Sequence, residues 1–143
     1  MYDIKNISMR KPWLEKLIEK KEPKIKRIEI DFADIPAGSN MFIATPKLID
    51  AYIQQIGIGK RIDIKTLRKD LAIEHNADYT CPVTTGIFLR IVAEANYEKL
   101  QNGKLVGEIT PFWRVIEPKS ALAKKLTFGQ EFLMQQIEKE SKN

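Results

Sequence analysis

The chain holds one cysteine and one histidine, Cys81 and His75, six residues apart. A thiol beside an imidazole is the minimum for nucleophilic catalysis, because the base removes the proton and the thiolate attacks. Cys81 precedes Pro82 at the expected start of a helix, where a thiolate would be stabilised. A small buried cysteine is the commoner use of this residue. One Cys with one His cannot build a zinc site of the usual kind, and a lone Cys cannot form an intramolecular disulfide. Two other groupings carry potential chemistry. Thr84, Thr85, Gly86, Arg90 and Ala93 combine hydroxyls, small residues and one cation. Thr110-Pro111-Phe112-Trp113-Arg114 sets two rings beside a guanidinium. Such rings can stack on a flat ligand or fill a core.

The elements that must position these residues read as follows. Ser8 to Lys21 has Trp13, Leu14, Leu17 and Ile18 at helical spacing, and Pro12 fits a first turn. Lys24 to Phe32 alternates as a strand would. Residues 36–40 read as a turn or linker, and the boundary between an extension and a domain is placed there. Thr45-Pro46 suits a helix start, with Leu48, Ile49, Tyr52, Ile53 and Ile56 as its buried stripe. Arg61 to Ile64 reads as a short strand that ends in a capping residue, Asp63. Lys65 to His75 reads as a helix with Leu67, Leu71 and Ala72 inward. After a turn, Val83 to Leu100 is a long helix with Ile87, Phe88, Ile91, Val92 and Ala95 inward. Its other face carries Thr85, Gly86, Arg90, Ala93 and Tyr97. Leu105 to Ile109 and Trp113 to Ile116 can form a hairpin-like wing, and Phe128, Phe132, Leu133 and Ile137 pack a last helix.

The segment from Ile109 to Ile116 resembles the active-site segment of the O6-alkylguanine-DNA alkyltransferase family, where the pattern is Pro-Cys-His-Arg-Val. Here Phe112 stands at the nucleophilic Cys and Trp113 at the His that activates it. Pro111, Arg114 and Val115 match the pattern. Residues 56–64 are similar to the turn and strand that open the family's winged-helix domain, and residues 126–138 to its loop and closing helix. The likeness covers roughly residues 41–140 and leaves the first forty without a counterpart. It implies a DNA-binding, repair-related domain that docks its long second helix in the minor groove. It also implies an inert one. The family's phosphate-rotating Tyr matches Ile64, and the acidic partner of its His finds only Gln136 or Glu138 nearby.

Each implied role has an ordinary alternative. The minor groove is only about 6 Å wide in B-form DNA. Gly86 and Ala93 would let a backbone approach it, and Thr84 or Thr85 could bond to phosphate or sugar. The same small residues suit close packing under a neighbouring helix. Arg90 could fill the space of a flipped base or be an exposed helical arginine. Phe112 and Trp113 could line a base pocket or be core. Alkyltransferase-like proteins that replace the Cys with Trp and bind lesions without repair keep the His, and this chain does not.

Net charge is +5 and the sequence pI about 9.3, which suits a polyanion without requiring one. Residues 1–30 hold nine Lys or Arg against five Asp or Glu, so most of the excess lies outside the family-like region. Lys20, Lys21, Lys24, Lys26 and Arg27 could track a nucleic-acid backbone, but Glu19, Glu22 and Glu29 interrupt them. No apolar run approaches the ~18 residues of a membrane span. A reducing, cytoplasmic setting is expected, with no cofactor and no metal.

The expected fold is mainly α with small β. A basic α/β extension (1–40) precedes a winged helix-turn-helix domain (41–143). The expected partner is duplex DNA, met by Thr84, Thr85, Gly86, Arg90, Ala93 and Arg114, with Phe112 and Trp113 as a pocket. A protein-interaction module on the same scaffold is the alternative, and a Cys81-dependent enzyme a third reading. Because a phenyl and an indole replace nucleophile and activator, incubation with O6-methylguanine DNA should leave the intact mass unchanged. A gain of one methyl group would contradict this.

Overall fold

The computed structural model describes residues 12–142, and the expected helical residues 8–11 lie outside them. The chain is mainly helical with a small three-stranded sheet. Helix α1 (Trp13–Ile18) is followed by strand β1 (Lys24–Arg27), strand β2 (Asn40–Ile43) and helix α2 (Pro46–Gln54). Helix α3 (Ile64–Glu74), strand β3 (Tyr79–Thr80) and helix α4 (Pro82–Gln101) come next. Two short 3-10 turns (Val106–Glu108 and Phe112–Arg114) then lead to helices α5 (Ala121–Lys125) and α6 (Glu131–Ser141). Strand β2 is central, antiparallel to β1 and parallel to β3.

Local chemistry sets most helix starts. The Thr45 hydroxyl accepts from the Leu48 amide ahead of Pro46, and the Asp63 carboxylate accepts from the Thr66 amide. These bonds satisfy amides that a helix start otherwise leaves unpaired. The end of α3 is equally specific. Asn76 takes a left-handed φ of 56°, and the Ala77 amide reaches back to the Ala72 carbonyl at 2.9 Å. This closure turns the chain from α3 toward β3 and α4.

Residues 12–40 are built into the same body. The Pro36–Ser39 stretch, expected as a linker, folds β1 back onto β2. Ile28 donates to the Ser39 carbonyl and Gly38 to the Ile28 carbonyl. Gly38 makes this bend at a φ of +88°, a value L side chains rarely adopt. The expected strand therefore stops at Arg27 instead of reaching Phe32. Helix α1 lies on α4, and the Glu98 carboxylate accepts from the Leu14 amide at 2.8 Å. Leu17 shares one core with Phe42, Ile49, Ile53, Leu71, Leu89 and Val92. Ile18, expected inward, is exposed.

Two further expectations are corrected. Residues 61–64 form no strand: Ile62 makes a single bond to the Arg114 carbonyl, and α3 begins at Ile64. The hairpin-like wing does not form either. Pro111 lacks a donor for a strand ladder. The Thr110 amide is taken by the Asn96 side chain at 3.0 Å, and the amides of Glu108, Ile109, Arg114 and Val115 bond to carbonyls three residues back along the chain.

Because Leu17 is part of the central core, Leu17→Ala should destabilise the whole protein by about 2–5 kcal/mol. Urea unfolding should show one transition shifted to lower denaturant. A shift under about 0.5 kcal/mol would mark the N-terminal segment as an appendage.

Candidate nucleic-acid interface

Helix α4 is enclosed from two sides. Phe88, Leu89, Ile91, Val92 and Ala95 face the core shared with α1, α2 and α3. Ala93 faces a second core of Ile109, Phe112, Trp113, Ile116, Ala123, Leu126 and Leu133. Buried polar side chains hold the second side in place. Asn96 donates to the Val92 carbonyl and to Asp50, and accepts from the Thr110 amide. Glu94 accepts from both the amide and the hydroxyl of Thr127. Each is fully enclosed, so these bonds replace water that neither group can reach. Their polar types gave no signal of burial in the sequence.

The face expected to meet DNA is therefore largely covered. Thr85 is buried and its hydroxyl donates to the Cys81 carbonyl at 2.6 Å. Ala93 is buried under the second core. The Thr84 hydroxyl is enclosed and has no hydrogen-bond partner. Gly86 and Arg90 stay accessible, and beside them stands Ile87, which was expected inward and is 52% exposed. Val83 is 53% exposed one turn earlier. The open stripe of α4 is thus Val83, Gly86, Ile87 and Arg90, at helical spacing.

This stripe forms the floor of a cleft of about 500 Å3. Trp13 and Lys16 of α1 form one wall, and Leu122 and Lys125 of α5 the other. A Cβ built on Gly86 meets nothing within 4 Å, so the glycine leaves the floor open. The Arg90 guanidinium lies 5.2 Å from the centre of the Trp13 ring, and the Lys16 ammonium 4.3 Å from it. Arg90 Nε is buried with no hydrogen-bond partner among the described residues, and it forms an ion pair with the buried Glu94 carboxylate at 3.6 Å. Among the described residues, three cations line this cleft and no acidic side chain does. Four other clefts on the protein each mix both signs.

The segment that resembles an active site is a structural brace. Phe112 is fully buried, with Trp113, Phe128 and Phe132 ring centroids between 5.4 and 5.7 Å away. Trp113 is also buried, and its indole N–H donates to Glu140 at 2.8 Å. The two rings therefore form core instead of an open base pocket. Arg114 bonds to Glu140 and to the Ile56 carbonyl. The carboxylate that Trp113 meets on the last helix is thus Glu140, and neither Gln136 nor Glu138, the residues the sequence offered nearby. Burial pushes the Glu140 carboxyl up, but bonds from Arg114, Trp113 and the Gly59 amide outweigh it and hold the group below its ordinary value.

Cys81 and His75 do not form a dyad. Cys81 is buried against Ile28, Ile35 and Met41. The His75 ring is stacked on Phe42 at 4.1 Å. No hydrogen bond joins them among the described residues, and an enclosed thiol presents no nucleophile to a substrate. Among these residues no helix is long and apolar enough to cross a membrane. Compared with known proteins, the chain matches no family model, no curated protein and no solved structure.

The Glu140 brace has a pH signature. A carboxyl whose folded pKa lies below its unfolded value contributes stability above the unfolded value and loses it as pH falls through the folded one. Glu140→Gln should therefore cost about 1–3 kcal/mol at neutral pH. The gap to wild type should close below about pH 4, the ordinary carboxylate range. Urea unfolding at both ends of that range checks this. A gap that does not change with pH would exclude the charged brace.

Proposed function

We propose that this protein is a non-catalytic nucleic-acid-binding protein, and that its ligand is DNA. It would use a helix-turn-helix pair, α3 and α4, of the kind its likeness to the alkyltransferase family implies, without a hairpin wing. The observation that carries this reading is the cleft on α4, lined by Lys16, Arg90 and Lys125 with no acidic side chain among the described residues. Phosphate contacts supply most sequence-independent affinity for DNA, so a surface of one sign matters more than net charge. Lys21 adds to the basic side, with its ammonium 5.6 Å from the Phe88 ring next to the stripe.

Two features support the alkyltransferase-like scaffold. The turn between α3 and α4 is closed by Asn76 and Ala77. Trp113, at the position of the family's His, still donates to a carboxylate on the closing helix. With Phe112 enclosed at the position of the nucleophile, the same scaffold supports binding and not alkyl transfer.

A protein-interaction role is the second reading, and half-exposed Val83 and Ile87 favour it. Two apolar side chains flanked by cations make a poor protein-binding core, because such cores are depleted of charge.

The readings separate in a salt titration with a fluorescently labelled mixed-sequence oligonucleotide. Affinity should fall log-linearly with salt, with a slope of about −2 to −3 for three phosphate contacts. Replacing Lys16 and Lys125 together with Glu should weaken binding at least about tenfold and flatten the slope by about two. Absence of binding at about 20 mM salt would sink the proposal, since electrostatic attraction is strongest there.

A further inference from the structure

We infer that the occupant of the α4 cleft is an unpaired nucleotide, held by stacking on Trp13 and by its phosphates on Lys16, Arg90 and Lys125. This rests on the DNA-binding reading above and names the form of DNA.

The shape of the site decides between duplex and single strand. A helix reads duplex DNA by entering a groove, and even the major groove is only about 12 Å wide. A helix with its side chains is itself about 10–12 Å across, so it must stand clear of its neighbours to enter. Helix α4 does not. Trp13 and Lys16 of α1 and Leu122 and Lys125 of α5 line the same recess as Gly86 and Arg90 of its open stripe. The recess measures about 500 Å3, within the usual range for small-molecule sites. It can admit one nucleotide that has left the stack.

The lining suits that ligand. Proteins that hold single strands combine a basic channel with an aromatic platform, and each stacked base contributes about 1–3 kcal/mol. Trp13 supplies the platform and three cations supply the channel. The ring is occupied in the absence of ligand by the Lys16 ammonium at 4.3 Å and the Arg90 guanidinium at 5.2 Å. Lys16 is one turn along α1, and its long side chain can yield the ring to a base and pair with the adjoining phosphate. Arg90 has a buried Nε with no hydrogen-bond partner among the described residues, and an ion pair with Glu94 at 3.6 Å. A phosphate oxygen in the cleft would give its guanidinium a hydrogen-bond acceptor beside that ion pair. Gly86 keeps the floor low, and any larger side chain there would grow into the space of the nucleotide.

The test compares a labelled single-stranded oligonucleotide with a blunt duplex of the same length and composition, on wild type and on Gly86→Leu. Leucine at this helical position has room at its Cβ and a better helix propensity, so the variant should fold with an unchanged or higher Tm. Wild type should bind the single strand at least tenfold tighter than the duplex. Gly86→Leu should lose at least tenfold for the single strand. Tryptophan emission should fall on saturation. Because Trp113 is enclosed, that change should vanish in Trp13→Phe. Equal or tighter duplex binding would overturn the inference while leaving the DNA reading standing. The same holds if folded Gly86→Leu binds as wild type does, or if the emission does not change. Failure of both oligonucleotides to bind at low salt would overturn the DNA reading and this inference together. A change in self-association of Gly86→Leu would then point to a protein partner.

Discussion

Everything in this fold is arranged around one helix that is closed in from two directions. Helix α4 buries large aliphatic and aromatic side chains against α1, α2 and α3 on one side, and Ala93 against the Phe112 cluster on the other. Apolar burial of that extent is the main term holding the chain together. It also leaves little of the helix to solvent. Thr85, Glu94 and Asn96 would each carry a desolvation penalty at buried positions, and each is bonded to backbone or to a neighbouring loop. The polar residues thus decide where the second core attaches, and the accessible stripe is what two cores leave over.

That constraint separates the alkyltransferase-like segment from any ligand. Phe112 and Trp113 are part of the second core, and Arg114 is committed to Glu140 and Ile56. The charge that might have met DNA is used to fasten α6 to the rest of the fold. A second group of cations gathers where the short helix α1 brings Trp13 and Lys16 up to Arg90, which itself pairs with Glu94. The N-terminal segment is therefore doubly tied in. It completes the core through Leu17, and in the proposed function it supplies Trp13 and Lys16 to the binding cleft.

The parts legible in the sequence were those ruled by local chemistry. Thr45 and Asp63 act as caps, and Leu67, Leu71 and Ala72 form the inward face of α3, as their spacing implies. The errors arose where one residue serves two neighbours. Ile87 reads as core by its hydrophobicity, yet it faces out, because Phe88 and Ile91 already fill the shared core. Thr85 and Ala93 read as an open small-residue face, yet Thr85 is buried with its hydroxyl on the Cys81 carbonyl and Ala93 is covered by the second core. A helix buried on two faces has no single apolar stripe, so periodicity cannot orient it. The wing was lost for a related reason: the Thr110 amide is claimed by Asn96 across 14 residues. The cleft itself joins residues from positions 13 to 125 and has no local signature.

The central claim is that nucleic acid meets the outer stripe of α4 between α1 and α5. Amide and indole chemical-shift mapping of the labelled protein, titrated with a short single-stranded oligonucleotide, tests it most directly. The account predicts that the largest shifts cluster on the Trp13 indole, Lys16, residues 83–90 and Lys125, with Trp113 and Arg114 scarcely moved. Shifts centred instead on residues 106–114, or spread evenly over the surface, would contradict it.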